Sequence, residues 1–133
     1  MMKKELLVKS QIDSLREVEK FIDLIAKEQQ LDNNVYGNIL IATLEAANNA
    51  IIHGNKLDVN KDVFICMDIE EKKIRLEIKD QGPGFDFNNI PDPTAPENIE
   101  NISGRGVFLM SKLSDNIQFR DNGAVVELTF NIP

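Results

Sequence analysis

Apolar positions at Leu40, Leu44, Ala47 and Ile51 recur at helical spacing, while Glu45, Asn49 and His53 recur every fourth residue on another face. This stretch, ATLEAANNAIIHG over 42–54, is therefore expected to be a helix laid on a sheet with a polar row turned elsewhere. The same period marks Leu15, Val18, Ile22 and Ile25, widened by Phe21, and predicts a helix over Asp13–Gln30 with Ser10 or Asp13 as its cap. Asp32 or Asn33 opens the second helix, which stops near Gly54, and Gly54-Asn55-Lys56 reads as loop. Glu5–Lys9 reads as a short edge strand. Farther on the period becomes two. Val63, Ile65, Met67 and Ile69 alternate with polar or outward positions, as do Ile74, Leu76 and Ile78, and the short Glu71-Lys72 connection makes an antiparallel hairpin. A helix is expected from the glycines at 104 and 106 to near Ser114. Ile117 and Phe119 then begin a second hairpin, with a type I′ turn at Asn122-Gly123 and a return strand over 124–132. The order strand, helix, helix, strand, strand, helix, strand, strand predicts an α+β two-layer sandwich, with helices on one face of a mixed, largely antiparallel sheet.

Three polar clusters interrupt this pattern. Asn48 and Asn49 are poor helix formers in a helix interior, so a benefit other than propensity is expected there. A carboxamide that binds metal and a carboxylate that moves a proton supply one; a plain solvated face is the alternative. Asp80 continues the inward alternation of Ile74, Leu76 and Ile78, where a carboxylate is costly without a partner. Either the core opens at the strand end or a ligand donor satisfies it. Gln81-Gly82-Pro83-Gly84 is a tight turn that lets another group approach the backbone. Phe85 to Ser103, with Pro91, Pro93 and Pro96, has no sustained period and is expected to be a mobile lid or a disordered loop. Gly104-Arg105-Gly106 directly before an apolar helix suits phosphate, through helix N-terminal amides and the fixed charge of the arginine.

Composition narrows the classes. The 133 residues suit one domain over 1–133, and the net charge of −7 disfavours nucleic acid or an anionic membrane as partner. The lone Cys66 excludes an internal disulfide and a cysteine metal cluster, and is expected as a small buried hydrophobe. MMKKELLVKS breaks its apolar run with charge, unlike a signal peptide, and a cytoplasmic protein is expected.

Taken in order, the three clusters resemble the nucleotide-binding boxes of the GHKL, or histidine-kinase-like, ATPase superfamily, and most closely the bacterial anti-sigma-factor serine kinases. Glu45-Ala46, Asn49-Ala50 and His53 match the E-A-x-x-N-A-x-x-H box, Asp80, Gly82 and Gly84 the D-x-G-x-G box, and Gly104, Arg105 and Gly106 the G-R-G box. The resemblance covers the chain from about the second helix to the final strand. It implies the Bergerat fold, with ATP and Mg2+ as cofactors. In its terms Asn49 ligates Mg2+, Glu45 is the general base on an incoming serine hydroxyl, and Asp80 accepts from the adenine amino group. Gly82 and Gly84 pass under the base, Gly104, Arg105 and Gly106 hold the phosphates, and His53 has a helix-end or supporting hydrogen-bonding role. The function implied is a serine/threonine protein kinase that phosphorylates a small anti-sigma-factor antagonist in a partner-switching pathway. A sigma factor is a further partner and a homodimer is expected. The competing reading is an ATP-binding anti-sigma or adaptor module with little or no kinase activity. One departure is plain: Ala124 and Val125 follow Gly123 where these kinases commonly place threonines near adenine.

Overall fold

The computed structural model describes residues 2–82 and 102–133, with the side chains of 102–105 left out of that description. The elements are β1 (Met2–Lys9), α1 (Ser14–Gln29), α2 (Asn33–Asn49) continued by a wider π-helical turn (Ala50–Gly54), β2 (Asp62–Ile69), β3 (Lys73–Lys79), α3 (Ile102–Leu113), β4 (Asn116–Arg120) and β5 (Val125–Asn131). The described strands form one sheet in the order β1-β2-β3-β5-β4, every pairing antiparallel. Helices cover one face, as expected, and no parallel pair occurs among the described residues.

The alternation of β2 and β3 decides which face is covered. Val63, Ile65, Met67, Ile74, Leu76 and Ile78 are all buried beneath α1 and α2, with Leu128 and Phe130 of β5 completing the floor. At about 25 cal/mol per Å2 of apolar surface removed from water, each such side chain contributes on the order of 2 kcal/mol. The opposite face carries charge: Arg120 bridges Glu77 and Glu127, and Arg75 lies beside Glu70 and Glu127. Cys66 belongs to that outward face and is half-buried, so the expected buried hydrophobe is corrected by the same alternation that buries its neighbours. Partial burial, then the nearby Asp68, pushes its thiol pKa up.

Local signals fix the ends of the elements. Asp32 accepts a hydrogen bond from Val35 N–H at 2.8 Å and starts α2 as expected. Neither Ser10 nor Asp13 caps α1 with its side chain; Ser14 Oγ instead donates to Lys9 O at 2.7 Å. Gln30 closes α1 in the left-handed conformation. β1 is longer than expected because Met2, Lys3 and Lys4 continue the pairing with β2 up to Met2↔Ile69. Asn122 (φ 57°, ψ 30°) and Gly123 (φ 93°) have type I′ dihedrals, and Ala124 N–H donates to Asp121 O at 3.1 Å.

The face that α2 buries differs from the expected one. Ile39, Ala42, Thr43, Ala46, Ala47, Ala50 and Ile51 are buried, whereas Leu40 and Leu44 lie at the margin. A stripe rich in alanine lets neighbours approach closely, and α3 packs directly against α2. Of the expected stripe Ala47 and Ile51 are buried as read, and only Leu40 and Leu44 fall outside the buried face.

Candidate functional site

Glu45 and Asn49 stand one turn apart on α2, on the side facing α3. Gly106, in the second turn of α3, crosses them closely. A Cβ on Gly106 would stand 3.0 Å from Asn49 Nδ2, 3.1 Å from Glu45 Oε2 and 3.3 Å from Asn49 Oδ1. The first and third polar clusters are thus in contact, and a Cβ at Gly106 would press on both side chains. The glycines were expected just before α3; the helix instead begins at Ile102, so Gly104 and Arg105 are in its first turn. The amides of that turn lack intrahelical acceptors, so they remain suited to an anion.

Asp80 follows β3 directly and is 7% exposed. Its N–H donates to Ala124 O at 2.9 Å, and its Oδ1 accepts from Gly82 N–H at 2.8 Å, closing a two-residue turn. The first expected explanation has a counterpart here, since the strand ends just before Asp80; one carboxylate oxygen is in addition partnered by the backbone. The other, Oδ2, lies against Gly54, where a Cβ would stand only 2.3 Å away. A Cβ on Gly82 would meet Gly54 O at 1.9 Å, so neither glycine tolerates a side chain in this packing. Burial raises the Asp80 pKa above the usual carboxylate range; the Gly82 N–H and Lys61 oppose the shift.

Between these groups lies a cavity of about 320 Å3, counting its open mouth. Asn49, Gly54 and Asp80 contribute to one side, Ala46, Ala50, Ile78, Met110, Phe119 and Val126 supply apolar wall, and Gly123 and Ala124 border it. An apolar slot with one carboxylate suits a flat aromatic ring that carries an amino donor. Asn49 Oδ1 is buried and without a hydrogen-bond partner among the described residues. A buried carboxamide oxygen left in this way fits a hard cation. No group of three or more His, Cys, Asp or Glu among the described residues could hold a metal. The donor set therefore fits Mg2+, which takes few protein ligands and completes its shell with phosphate and water, rather than a metal caged by protein.

Residues 8–130 match the family described as the histidine kinase-like ATPase domain. The chain belongs to that family. This histidine kinase-like ATPase is 33% identical over 96 residues to proteins named serine-protein kinase RsbW from Bacillus cereus (strain AH820) and Bacillus anthracis, an alignment covering 67% of this chain. It spans 59% of the length of those relatives. The fold is similar to the solved structure of the RsbU and RsbW domains of Rv1364c from Mycobacterium tuberculosis, with a TM-score of 0.67 at 14% identity over 100% of this chain and 33% of that one.

Within this ATPase domain the structure brings together Glu45, Asn49, Asp80, Gly82 and Gly106. His53 is set apart. It was expected to extend the Glu45–Asn49 row, but the π-helical turn swings it to an exposed position that does not line the cavity. Gly84 and residues 85–101 of the expected lid lie outside the described residues, as does the Arg105 side chain, while Ile102 and Ser103, expected in the lid, already belong to α3. Sequence reasoning missed Gly54 and Asn55, because Gly-Asn after a helix is the ordinary mark of its end. It also missed the apolar wall, whose residues look like any core. No described helix is long and apolar enough to cross a membrane.

Proposed function

We propose that residues 1–133 form a single ATP-binding domain acting as a serine/threonine protein kinase on a small anti-sigma-factor antagonist in a partner-switching pathway. The observation that carries it is the cavity lined together by Asp80, whose carboxylate packs against Gly54, by Asn49 and by an apolar wall. Asp80 accepts the adenine amino group, and the walls sandwich the ring. Gly82 and Gly84 pass under the base. Gly104, Arg105 and Gly106 hold the phosphates at the start of α3. Asn49 would hold Mg2+ through Oδ1, and the ion supplies charge neutralisation on the phosphates. Glu45, the sole carboxylate of α2, accepts the proton of the incoming serine hydroxyl as its oxygen attacks the γ-phosphorus and ADP departs. His53 supports the helix end. The relatives named serine-protein kinase RsbW support the kinase part of this reading; a sigma factor as second partner, a homodimer and a cytoplasmic location complete it.

Calorimetry and phosphotransfer on two variants test it. Glu45→Ala is expected to bind Mg-ATP within a few fold of wild type while serine phosphotransfer falls by about 100-fold or more. Asn49→Ala is expected to weaken Mg-ATP itself. Undiminished transfer by Glu45→Ala removes Glu45 from the chemistry. Wild-type protein that binds ATP well but transfers nothing to any candidate antagonist favours the second reading, an ATP-dependent anti-sigma or adaptor module.

A further inference from the structure

Among the described residues Asn55 is the polar side chain with the most hydrogen bonds. It is 1% exposed and follows the π-helical turn, whose last bond its own N–H donates to Ala50 O at 2.8 Å. Its Nδ2 donates to Ser10 Oγ at 2.8 Å and to Asp62 O at 3.0 Å. Its Oδ1 accepts from Gln81 N–H at 2.7 Å. Ser10 Oγ passes its own proton to Lys61 O at 2.7 Å, and Gln81 Oε1 accepts from Asp62 N–H at 2.6 Å. One carboxamide thus ties the chain after β1, the first residue of β2 and the second residue after β3 to the end of the α2 extension.

Only one of those ties reaches the site. Gln81 lies between Asp80 and Gly82, so the peptide that leaves Asp80 is fixed by Asn55. With the Asp80 N–H on Ala124 and Oδ1 on Gly82, Asp80 is held at both backbone and side chain where it lines the cavity. Gly54, the neighbour of Asn55, provides the room that Oδ2 occupies. The same turn that clears the space therefore sets the height of the carboxylate beside it.

We infer that Asn55 is a positioning residue for nucleobase selection: its Oδ1, through Gln81 N–H, aims Asp80 at an exocyclic amino group. This rests on the reading of the cavity as an ATP site. A purely structural Asn55 would stabilise the fold without affecting which base is preferred.

The two roles separate in a pair of variants. Asn55→Ala and Asn55→Asp both lose the amide donors to Ser10 and Asp62, but only Asn55→Asp keeps an oxygen for Gln81 N–H. The probes are ATP and purine riboside triphosphate, which lacks the amino group, titrated calorimetrically alongside thermal melts. Wild type is expected to prefer ATP by about tenfold or more, the scale of a hydrogen bond to a charged group. Asn55→Ala is expected to lose that preference, and Asn55→Asp to keep it, although both melt lower. Preference retained in both variants, or lost in both, overturns the inference. Wild type without any preference overturns the adenine reading of Asp80 itself, and wild type that binds neither probe overturns the nucleotide site. Should the variants not fold, hydrogen exchange at the Gln81 amide of wild type decides. Its protection is expected to rise more with ATP than with the analogue, and equal protection overturns the inference.

Discussion

Asp80 meets two opposed demands in one side chain. Burial penalises its charge, yet an ionised oxygen is the better acceptor for an amino group. A raised carboxylate pKa means that the folded state holds its proton more tightly than the unfolded state. Stability is then lost as pH rises from the ordinary carboxylate range through the raised folded pKa, and the penalty persists above it. Asp80→Asn removes that penalty and can still accept from Gly82. Its melting temperature is expected to exceed wild type near pH 7, with the gap closing in acid below about pH 4. Melts across that range check this, and a gap that ignores pH contradicts it. The same variant is expected to lose most discrimination between ATP and GTP, about 1.5–3 kcal/mol of preference. Equal ATP and GTP affinities in wild type would remove Asp80 from base reading.

At the scale of elements, two helical glycines make opposite predictions. A Cβ on Gly37 of α2 would meet nothing within 4 Å. Gly37→Ala is expected to stabilise by about 0.8–1 kcal/mol and to raise the melting temperature by about 3 °C, with nucleotide affinity unchanged. Gly106 of α3 has the same propensity cost but faces Glu45 and Asn49 at 3.0–3.3 Å. Gly106→Ala is therefore expected to gain little stability and to lose about tenfold in Mg-ATP affinity, as the displaced Asn49 and Glu45 lose their alignment. Calorimetry on both variants separates packing from propensity; an unaffected Gly106→Ala would mean that α3 does not set the site. The helices and strands were legible because hydrophobic period reports directly on burial. The side of α2 that packs tightest was not, since alanines carry little hydrophobic signal and matter through what they allow to come close. Asn55 was hidden for a related reason: its role depends on Ser10, Asp62 and Gln81, which only the folded chain brings together.

For the whole molecule, the sheet order places β3 beside β5, so the residues after β3 and the turn before β5 border one cavity from opposite strands. Residues of α2 and Met110 of α3 complete its lining. A ligand there touches segments distant in sequence and stabilises them together. Mg-ATP at 100 times its Kd is expected to add about 2.7 kcal/mol, roughly 10 °C in melting temperature, and EDTA is expected to remove most of the shift. A shift of the same size with and without metal would exclude Asn49 as its ligand.

The π-helical turn gives the chain an unusual relation to insertions and deletions. Its i→i+5 bond, Asn55 N–H to Ala50 O, accommodates one residue more than an α-helical turn would. Losing one residue there allows the helix to wind on regularly, which rotates everything downstream by about 100° around the axis. The space beneath Asp80 would then be filled, and the carboxamide that anchors three strands would point elsewhere. Gly54 apart, the identity of each side chain in this segment matters less than the number of residues it contains.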